Sequence, residues 1–271
     1  MNRNKTRRLI EAALMVALAT VLSVFKLVEM PYGGSVTFAS MLPVLILSYR
    51  HGVAIGLGGG FVSAVIQQLL GLKYLSYFTT WQSVVALILL DYIVAFTVVG
   101  LGGIFRKIIK SQSAALAVGA ISVGVLRYIC HVIAGCTVWV GLSIPDSEAL
   151  IYSLGYNATY MLPETIVLTV VALNLSRQID FTRETPERVR RESKENSGDN
   201  LIALAWLTGA AGIVADVVTI APSLQDAESG MFIVSGLKDA PWVTVAIISA
   251  VCLITSLLFV ILAKKQKKTE G

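Results

Sequence analysis

Charged and aromatic side chains that could bind a ligand lie inside stretches of this chain that are otherwise apolar. Arg127, His131 and Trp139 fall in one such stretch, and Asp91 falls in another. Charged side chains at membrane depth are expensive and usually line a site or a cavity. Since residues four apart share a helix face, Arg127, His131 and Gly135 form one stripe, with Trp139 just beyond it. The pattern predicts a binding site between helices.

Asp91 allows two interpretations. It lies about nine residues from the outer end of its predicted helix, hence ~14 Å deep. In one interpretation it forms an ion pair with Arg127 that only holds two helices together. In the other, its carboxylate accepts hydrogen bonds from a ligand or balances a ligand's positive charge, with Arg127 setting its position and ionisation. Both can hold at once.

The residues that follow Arg127 also allow a structural and a functional interpretation. A tryptophan at the position of Trp139 is typical of an interfacial anchor when taken alone. Gly135, one turn earlier, lacks a side chain on that side and would leave room for a planar ligand against the indole. A lone histidine such as His131 is as often structural as functional.

A later stretch carries Asn157, Tyr160 and Glu164 at helical spacing, so they can face inward together. The alternative is that they join helices by hydrogen bonds. Aromatic rings beside a carboxylate, an amide and a histidine favour a flat cation as ligand. The sequence shows no nucleophile paired with a base, no phosphate-binding loop and no metal-ligand cluster. We therefore expect no enzymatic activity, no cofactor and no metal site.

The composition indicates the class of protein. Hydrophobic residues make up 55% of the 271 residues, charged residues only 14%, and the mean hydropathy is +0.75. A water-soluble domain rarely has such values, so we predict an all-α integral membrane protein. Gly56, Gly58, Gly59 and Gly60 lie in one apolar run and are expected to allow close helix packing. The runs predict about eight helices, near residues 9–28, 36–49, 52–71, 82–104, 114–138, 150–176, 200–222 and 241–263.

Lysine and arginine are distributed unevenly between the predicted loops. With the amino terminus inside, most of them fall on the cytoplasmic side, whereas Lys26, Lys73 and Lys238 lie outside. Because cytoplasmic loops carry an excess of both residues, we predict that both termini are cytoplasmic. The same bias accounts for the net charge of +5, and no nucleic-acid partner is expected. A signal peptide is the alternative for residues 9–28, but Glu11 interrupts its apolar region, so we expect a retained helix.

The chain divides into three predicted parts. Residues 1–177 form a six-helix core, and residues 178–199 have the charged composition of a solvated cytoplasmic linker. Residues 200–271 add two helices as a membrane extension, in which Asp216 is the buried charge that invites testing. No internal repeat is visible, which argues against a transporter built from two matched halves.

Several short motifs carry a family resemblance. The chain resembles the thiamine-specific substrate-binding subunit, or S component, of energy-coupling factor transporters. The resemblance covers about residues 7 to 177. It depends on Tyr32-Gly33 with Met41-Leu42-Pro43, Arg50-His51-Gly52, Leu90-Asp91-Tyr92, the pattern from Arg127 to Trp139, and Tyr152-Ser153-Leu154 followed by Asn157.

The resemblance implies a six-helix subunit of a bacterial cell membrane that captures thiamine from outside. It implies as partners a membrane-embedded transmembrane subunit and two cytoplasmic ATPases. By matching positions, Asp91 would bind the aminopyrimidine, while His131, Trp139 and Asn157 would surround the thiazolium and the ring edges. The rest of the implied pocket is Tyr74, Tyr92, Gly135, Tyr152 and Ser153.

The resemblance also implies a docking motif of small residues on the first helix. Ala13 and Ala17 match it, with Val21 in place of a further small residue; small residues four apart permit close helix contact. The alternative is ordinary packing of these alanines inside the core.

Two positions depart from the family pattern. Some members place a tryptophan where this chain has Gly34, so the cover over the ligand is expected to be less aromatic. Others have glutamate where this chain has Asp91, which changes the reach of the carboxylate. Two further functions remain open: a stand-alone proton-coupled thiamine carrier with Asp91 or Glu164 as proton site, and a membrane-embedded enzyme or scaffold.

Overall fold

The computed structural model describes residues 3–139, 142, 144, 146–189, 193–226 and 232–269. Two short antiparallel hairpins pair β1 (Lys26–Glu29) with β2 (Ser35–Thr37) and β3 (Ile179–Asp180) with β4 (Glu187–Arg188). The helices are α1 (Arg3–Val24), α2 (Leu42–His51), α3 (Val53–Leu70), α4 (Trp81–Lys107), α5 (Gln112–Thr137), α6 (Ser147–Gln178), α7 (Ser193–Ile220) and α8 (Trp242–Thr269). The protein is an all-α integral membrane protein, as the composition predicted.

Each of the eight predicted helices has a counterpart, but several boundaries were wrong: α1 begins at Arg3, α7 begins at Ser193 inside the predicted linker, and α8 ends at Thr269. The chain leaves α1 at Val24 and turns into β1, so residues 25–28 are not helical. Residues 35–37 pair as β2, and α2 starts only at Leu42. Of the described helices, α3 to α8 are long and apolar enough to cross a membrane. With its 10 residues, α2 rises only about 15 Å.

The centre of the bundle is α2, in which every residue except His51 is buried. Neighbouring helices reach it because they present glycine. A Cβ on Gly56 of α3 would lie 2.4 Å from the Ser48 Cβ and 2.6 Å from the Gly100 carbonyl oxygen. A Cβ on Gly103 would meet the Ser48 backbone at 2.3 Å. Close packing was the role predicted for Gly56, and the structure confirms it.

Helix α4 changes its winding along its length. It begins as an α-helix, is π-helical over Ile88–Val94, returns briefly to α-helix and ends as a 3-10 helix over Val98–Lys107. A π segment accommodates an extra residue in a turn and is frequent at functional sites. Asp91 lies within this segment, so the irregular winding determines where the carboxylate points.

The first part of the predicted linker packs against the six-helix core. The Phe181 side chain is 5% exposed, and the Arg50 guanidinium donates to the carbonyls of Phe181, Arg183 and Glu184 at 2.8, 3.1 and 3.1 Å. Arg50 also pairs with Glu11 of α1. Residues 181–184 are thus held against the core, whereas the prediction treated all of 178–199 as solvated. The division into three parts stays a prediction, and residues 190–192 lie outside the described residues.

Helices α7 and α8 form an antiparallel hairpin beside α6. Val214 of α7 packs against the apolar clusters of the core. The Ser249 hydroxyl of α8 donates to the Asp216 carboxylate of α7 at 2.6 Å. Asp216 therefore lies between the two helices of the extension and joins them.

Candidate functional site

A cavity of about 730 Å³ lies between β1–β2, the segment Leu72–Tyr77 and helices α4, α5 and α6. Its size falls in the range of small-molecule sites. The structure brings all nine predicted ligand-binding residues to its wall: Tyr74, Asp91, Tyr92, His131, Gly135, Trp139, Tyr152, Ser153 and Asn157.

Two side chains hold the Asp91 carboxylate, one on α5 and one just after the end of that helix. His131 Nδ1 lies 2.7 Å from Asp91 Oδ1, and the Trp139 indole N–H donates to Asp91 Oδ2 at 3.1 Å. A carboxylate has about four acceptor positions, so this one retains capacity for donors of a ligand. Two fixed donors keep the carboxylate in one orientation, which prepares it for a ligand.

Arg127 forms no ion pair with any carboxylate in the described part of the chain, so the interpretation of Asp91 as its ion-pair partner is wrong. The guanidinium is 6% exposed and lies over the Phe96 ring, 4.2 Å from its centroid. It donates to the Met41 sulfur at 3.0 Å, and Nη2 lies 3.4 Å from His131 Nε2. Because arginine can only donate, Nε2 accepts, and Nδ1 carries the hydrogen that is donated to Asp91. Arg127 therefore selects the tautomer of His131.

Glu164 lies at the deep end of the cavity and is 3% exposed. Its carboxylate accepts from the Thr37 amide at 2.5 Å and from the Thr37 hydroxyl at 2.7 Å, and Ser40 adds a contact at 3.5 Å. The residue thereby ties α6 to the end of the β1–β2 hairpin. Asn157 and Tyr160 face inward beside it, as their spacing predicted.

Asn157 is the centre of a polar network between α5 and α6. Its amide nitrogen donates to the Ser153 carbonyl at 2.8 Å and to the His131 carbonyl at 3.3 Å, and its oxygen accepts from Tyr160 at 2.5 Å. A Cβ on Gly135 would lie 2.2 Å from the Ser153 hydroxyl. Gly135 therefore brings the two helices together, and the room that we expected there for a ligand is filled by Ser153.

Aromatic rings surround Trp139 at the mouth of the cavity. The centroids of Tyr32, Tyr77 and Phe78 lie 5.7, 5.9 and 4.9 Å from that of Trp139. Tyr32 and Tyr77 supply rings to this cover, and a cover less aromatic than that of relatives with a tryptophan at the position of Gly34 stays a prediction. At Gly34, a Cβ would come 2.6 Å from the Tyr160 ring, so the fold leaves no space for a larger residue there.

Tyr152 and Tyr156 form one side of the cavity. Their rings stack with centroids 6.4 Å apart and planes at 6°. The Tyr156 hydroxyl accepts from the Gly34 amide at 3.2 Å. Sequence reasoning missed Tyr156, although its spacing of four from Tyr152 was a usable signal.

The two remaining predicted residues, Tyr74 and Tyr92, also line the cavity. The Tyr74 hydroxyl donates to Glu29 at 3.1 Å. The hydrogen bond from Lys26 to Glu29, at 2.7 Å, lowers the pKa of that carboxyl, so it remains an ionised acceptor for Tyr74 until the solution is more acidic than its ordinary pKa. Tyr92 packs against α3, where a Cβ on Gly71 would meet its hydroxyl at 2.3 Å.

The predicted docking residues lie away from the cavity. Ala13 and Ala17 are exposed on the outer face of α1, whereas Val16 and Ala19 are buried. Packing inside the core is therefore not the role of these two alanines. They form part of an exposed apolar surface with Leu14 and Leu18, and their role in docking stays a prediction.

The arrangement suits a flat cation that carries hydrogen-bond donors. Aromatic faces attract a cation, and the attraction grows when water is excluded. The Asp91 carboxylate accepts from donors and balances the positive charge. His131 and Trp139 fix the carboxylate before the ligand arrives.

Comparisons with known proteins identify a family and relatives of this chain. A sequence model of the family described as Thiamine transporter protein (Thia_YuaJ) matches residues 9–182. Thiamine transporter ThiT of Bacillus subtilis (strain 168) is 34% identical over 183 residues, which are 63% of this chain and 91% of that protein. Thiamine transporter ThiT of Lacticaseibacillus paracasei is 26% identical over 195 residues, with 65% and 91% covered.

A solved structure of ThiT from Listeria monocytogenes shares the fold. It is 23% identical, with a TM-score of 0.52, over 64% of this chain and 95% of its own. The family match ends at residue 182, so α7 and α8 lie beyond it.

Proposed function

Because this chain belongs to the thiamine transporter (Thia_YuaJ) family, we propose that its cavity binds thiamine as the first step of uptake. The observation that carries the proposal is the Asp91 carboxylate, held by His131 and Trp139 inside an aromatic cavity. Thiamine joins an aminopyrimidine, which carries hydrogen-bond donors, to a permanently cationic thiazolium ring. The cavity offers an acceptor for the first ring and aromatic faces for the second.

The proposed pose follows from these groups. The amino group of the pyrimidine donates to Asp91, whose bonds to His131 and Trp139 leave acceptor capacity. The thiazolium lies among the rings of Trp139, Tyr32 and Tyr77, where cation–π attraction favours it. Asn157 contributes through its amide oxygen at the ring edge and also positions His131 through the carbonyl of that residue.

We propose further that the protein works as the S component of an energy-coupling factor complex. In this arrangement the cavity faces outward, both termini are cytoplasmic, and a transmembrane subunit with two ATPases supplies the energy. The exposed alanines of α1 support it, because they offer a membrane partner a surface on which backbones can approach closely. The competing function is a proton-coupled carrier, which would take up thiamine in vesicles with a proton gradient and no ATPase.

The direct test is a thiamine titration of the purified protein, followed by tryptophan fluorescence and by calorimetry. We expect saturable quenching at submicromolar thiamine, because Trp139 lies in the cavity wall. Riboflavin and biotin, which lack a thiazolium, are expected not to bind at the same concentrations. Absence of heat and of quenching with thiamine would mean that the ligand is misidentified.

The docking proposal predicts separate effects on binding and on uptake. A bulky side chain in Ala17→Trp is expected to lower ATP-driven uptake by about tenfold, since it prevents close helix approach, and to leave thiamine affinity unchanged. Leu253→Trp on α8, where the native side chain is 61% exposed, is the matched control and should transport normally. Normal uptake by Ala17→Trp in vesicles that contain the ATPase partners would exclude this docking face.

A further inference from the structure

The loop that joins α7 to α8 reaches the back of the cavity wall. Its residue Phe232 is 4% exposed. The Phe232 ring packs edge-on against Tyr152 and Tyr156, with centroids 5.4 and 5.1 Å away. The Tyr152 hydroxyl also donates to the Phe232 carbonyl at 3.2 Å. The extension therefore contacts two residues that line the cavity.

The position of Phe232 is set by its own surroundings. Its side chain belongs to a buried apolar cluster that includes Val28 and Val36 of the hairpin β1–β2 and Leu224 at the end of α7. The backbone is fixed as well, because the Ile233 amide donates to the Leu224 carbonyl at 2.9 Å. The loop thus holds its phenylalanine from the side of α7 and from the side of the hairpin.

Phe232 lies behind the wall, so any influence on a ligand passes through the two tyrosines. Tyr152 is 39% exposed even with Phe232 in place, and its ring is stacked on that of Tyr156. Removal of the phenylalanine would take one edge contact from each ring. Tyr156 would keep its edge contacts with Tyr32 and Tyr160, so Tyr152 would gain more freedom to adopt other rotamers. Aromatic pairs in this geometry favour one arrangement beyond their buried area.

We propose that Phe232 is a positioning residue through which the two-helix extension closes one side of the ligand cavity. By holding Tyr152 and Tyr156, it slows the departure of the bound ligand. The identity of that ligand rests on the function proposed above, whereas the contact itself does not. The family match ends at residue 182, so Phe232 lies in a part of the chain beyond the matched core.

The test uses the full-length protein with Phe232→Ala. We expect the dissociation constant for thiamine to rise about five- to tenfold, mostly through faster dissociation, since such changes usually act on the off-rate. Stopped-flow tryptophan fluorescence measures that rate. Phe232→Leu keeps an apolar side chain without a ring and should be intermediate. Val234→Ala changes an exposed residue of the same loop and should bind as the unchanged protein does.

A measurement without ligand separates this proposal from the proposed function. In protein labelled with 3-fluorotyrosine, the fluorine signals of Tyr152 and Tyr156 are assigned by Tyr152→Phe and Tyr156→Phe. Loss of the Phe232 ring current shifts both signals even when the rings stay in place, so the readout is the line shape. We expect both signals to broaden or split in Phe232→Ala and Phe232→Leu, as the rings take more than one rotamer, while the signal of Tyr49 on α2 stays unchanged. If the unchanged protein fails to bind thiamine, the proposed function is wrong and the fluorine signals alone decide the positioning role.

Two results would overturn the proposal. Sharp single signals of both tyrosines in Phe232→Ala would show that the phenylalanine does not position them. Broadened or split signals with an unaltered dissociation rate of bound thiamine would show that the positions of these rings do not govern ligand release. Phe232→Leu keeps both tests available if the alanine variant melts at too low a temperature to be studied.

Discussion

Replacing Asp91 with asparagine is expected to raise the dissociation constant for thiamine by at least about a hundredfold, which corresponds to about 2.7 kcal/mol. Two losses add up to this effect. A hydrogen bond to a charged acceptor contributes about 1.5–3 kcal/mol, and a buried donor left without an acceptor costs about 1–3 kcal/mol. An asparagine must turn its amide N–H₂ toward His131 or Trp139, both of which donate to the native carboxylate.

Calorimetry measures this effect directly, with a melting curve to show that the variant is folded. Asp216→Asn is the matched control, because that aspartate lies between α7 and α8 with Ser249 as its partner. It should leave the affinity for thiamine unchanged. Asp91→Glu keeps the charge and should bind more tightly than Asp91→Asn. Near-normal affinity of Asp91→Asn would exclude the carboxylate as the main acceptor of the ligand.

The helices were predictable because long apolar runs have few other ways to satisfy their backbone in a membrane. The prediction was wrong where that rule does not apply. Residues 25–41 include a short hairpin, whose strands pair with each other; β2 packs on α6, and β1 packs on α7. The π-helical segment around Asp91 was not predictable either, since its winding depends on how α4 packs against its neighbours.

The stripe of residues four apart brought His131 and Trp139 to the site, but it did not assign their partners. Arg127 was expected to meet a carboxylate and instead lies over Phe96 and next to His131. A pairing between two helices depends on their rotation and depth, which periodicity does not give. Tyr156 was missed although its spacing from Tyr152 was informative.

Residues on loops were the hardest to predict. Tyr77 is the last residue of the 3-10 segment that follows α3, and Phe78 comes directly after it. No helical spacing connects either residue to Trp139. Tyr32 was noted as part of a motif, but its side chain reaches Trp139 from a backbone with a φ of 63°, which sequence patterns do not reveal. The aromatic surroundings of Trp139 therefore became visible only in three dimensions.

These surroundings make Trp139→Ala the second large perturbation, with an expected rise of about thirty- to a hundredfold in the dissociation constant for thiamine. The change removes the ring that Tyr32, Tyr77 and Phe78 pack against, together with its attraction for the thiazolium. It also removes one of the two donors that orient Asp91. Calorimetry is the appropriate measurement, because Trp139 is itself a fluorescent reporter of the cavity.

Trp139→Phe separates the two contributions of the indole. The phenylalanine retains an aromatic face and lacks the N–H that donates to Asp91, so we expect an affinity between those of the alanine variant and the unchanged protein. Trp206→Ala on α7, where the side chain is 53% exposed, is the matched control and should bind normally. Equal affinities of Trp139→Phe and Trp139→Ala would assign the whole effect to the orientation of Asp91. Normal binding by Trp139→Ala would instead place the thiazolium away from this ring.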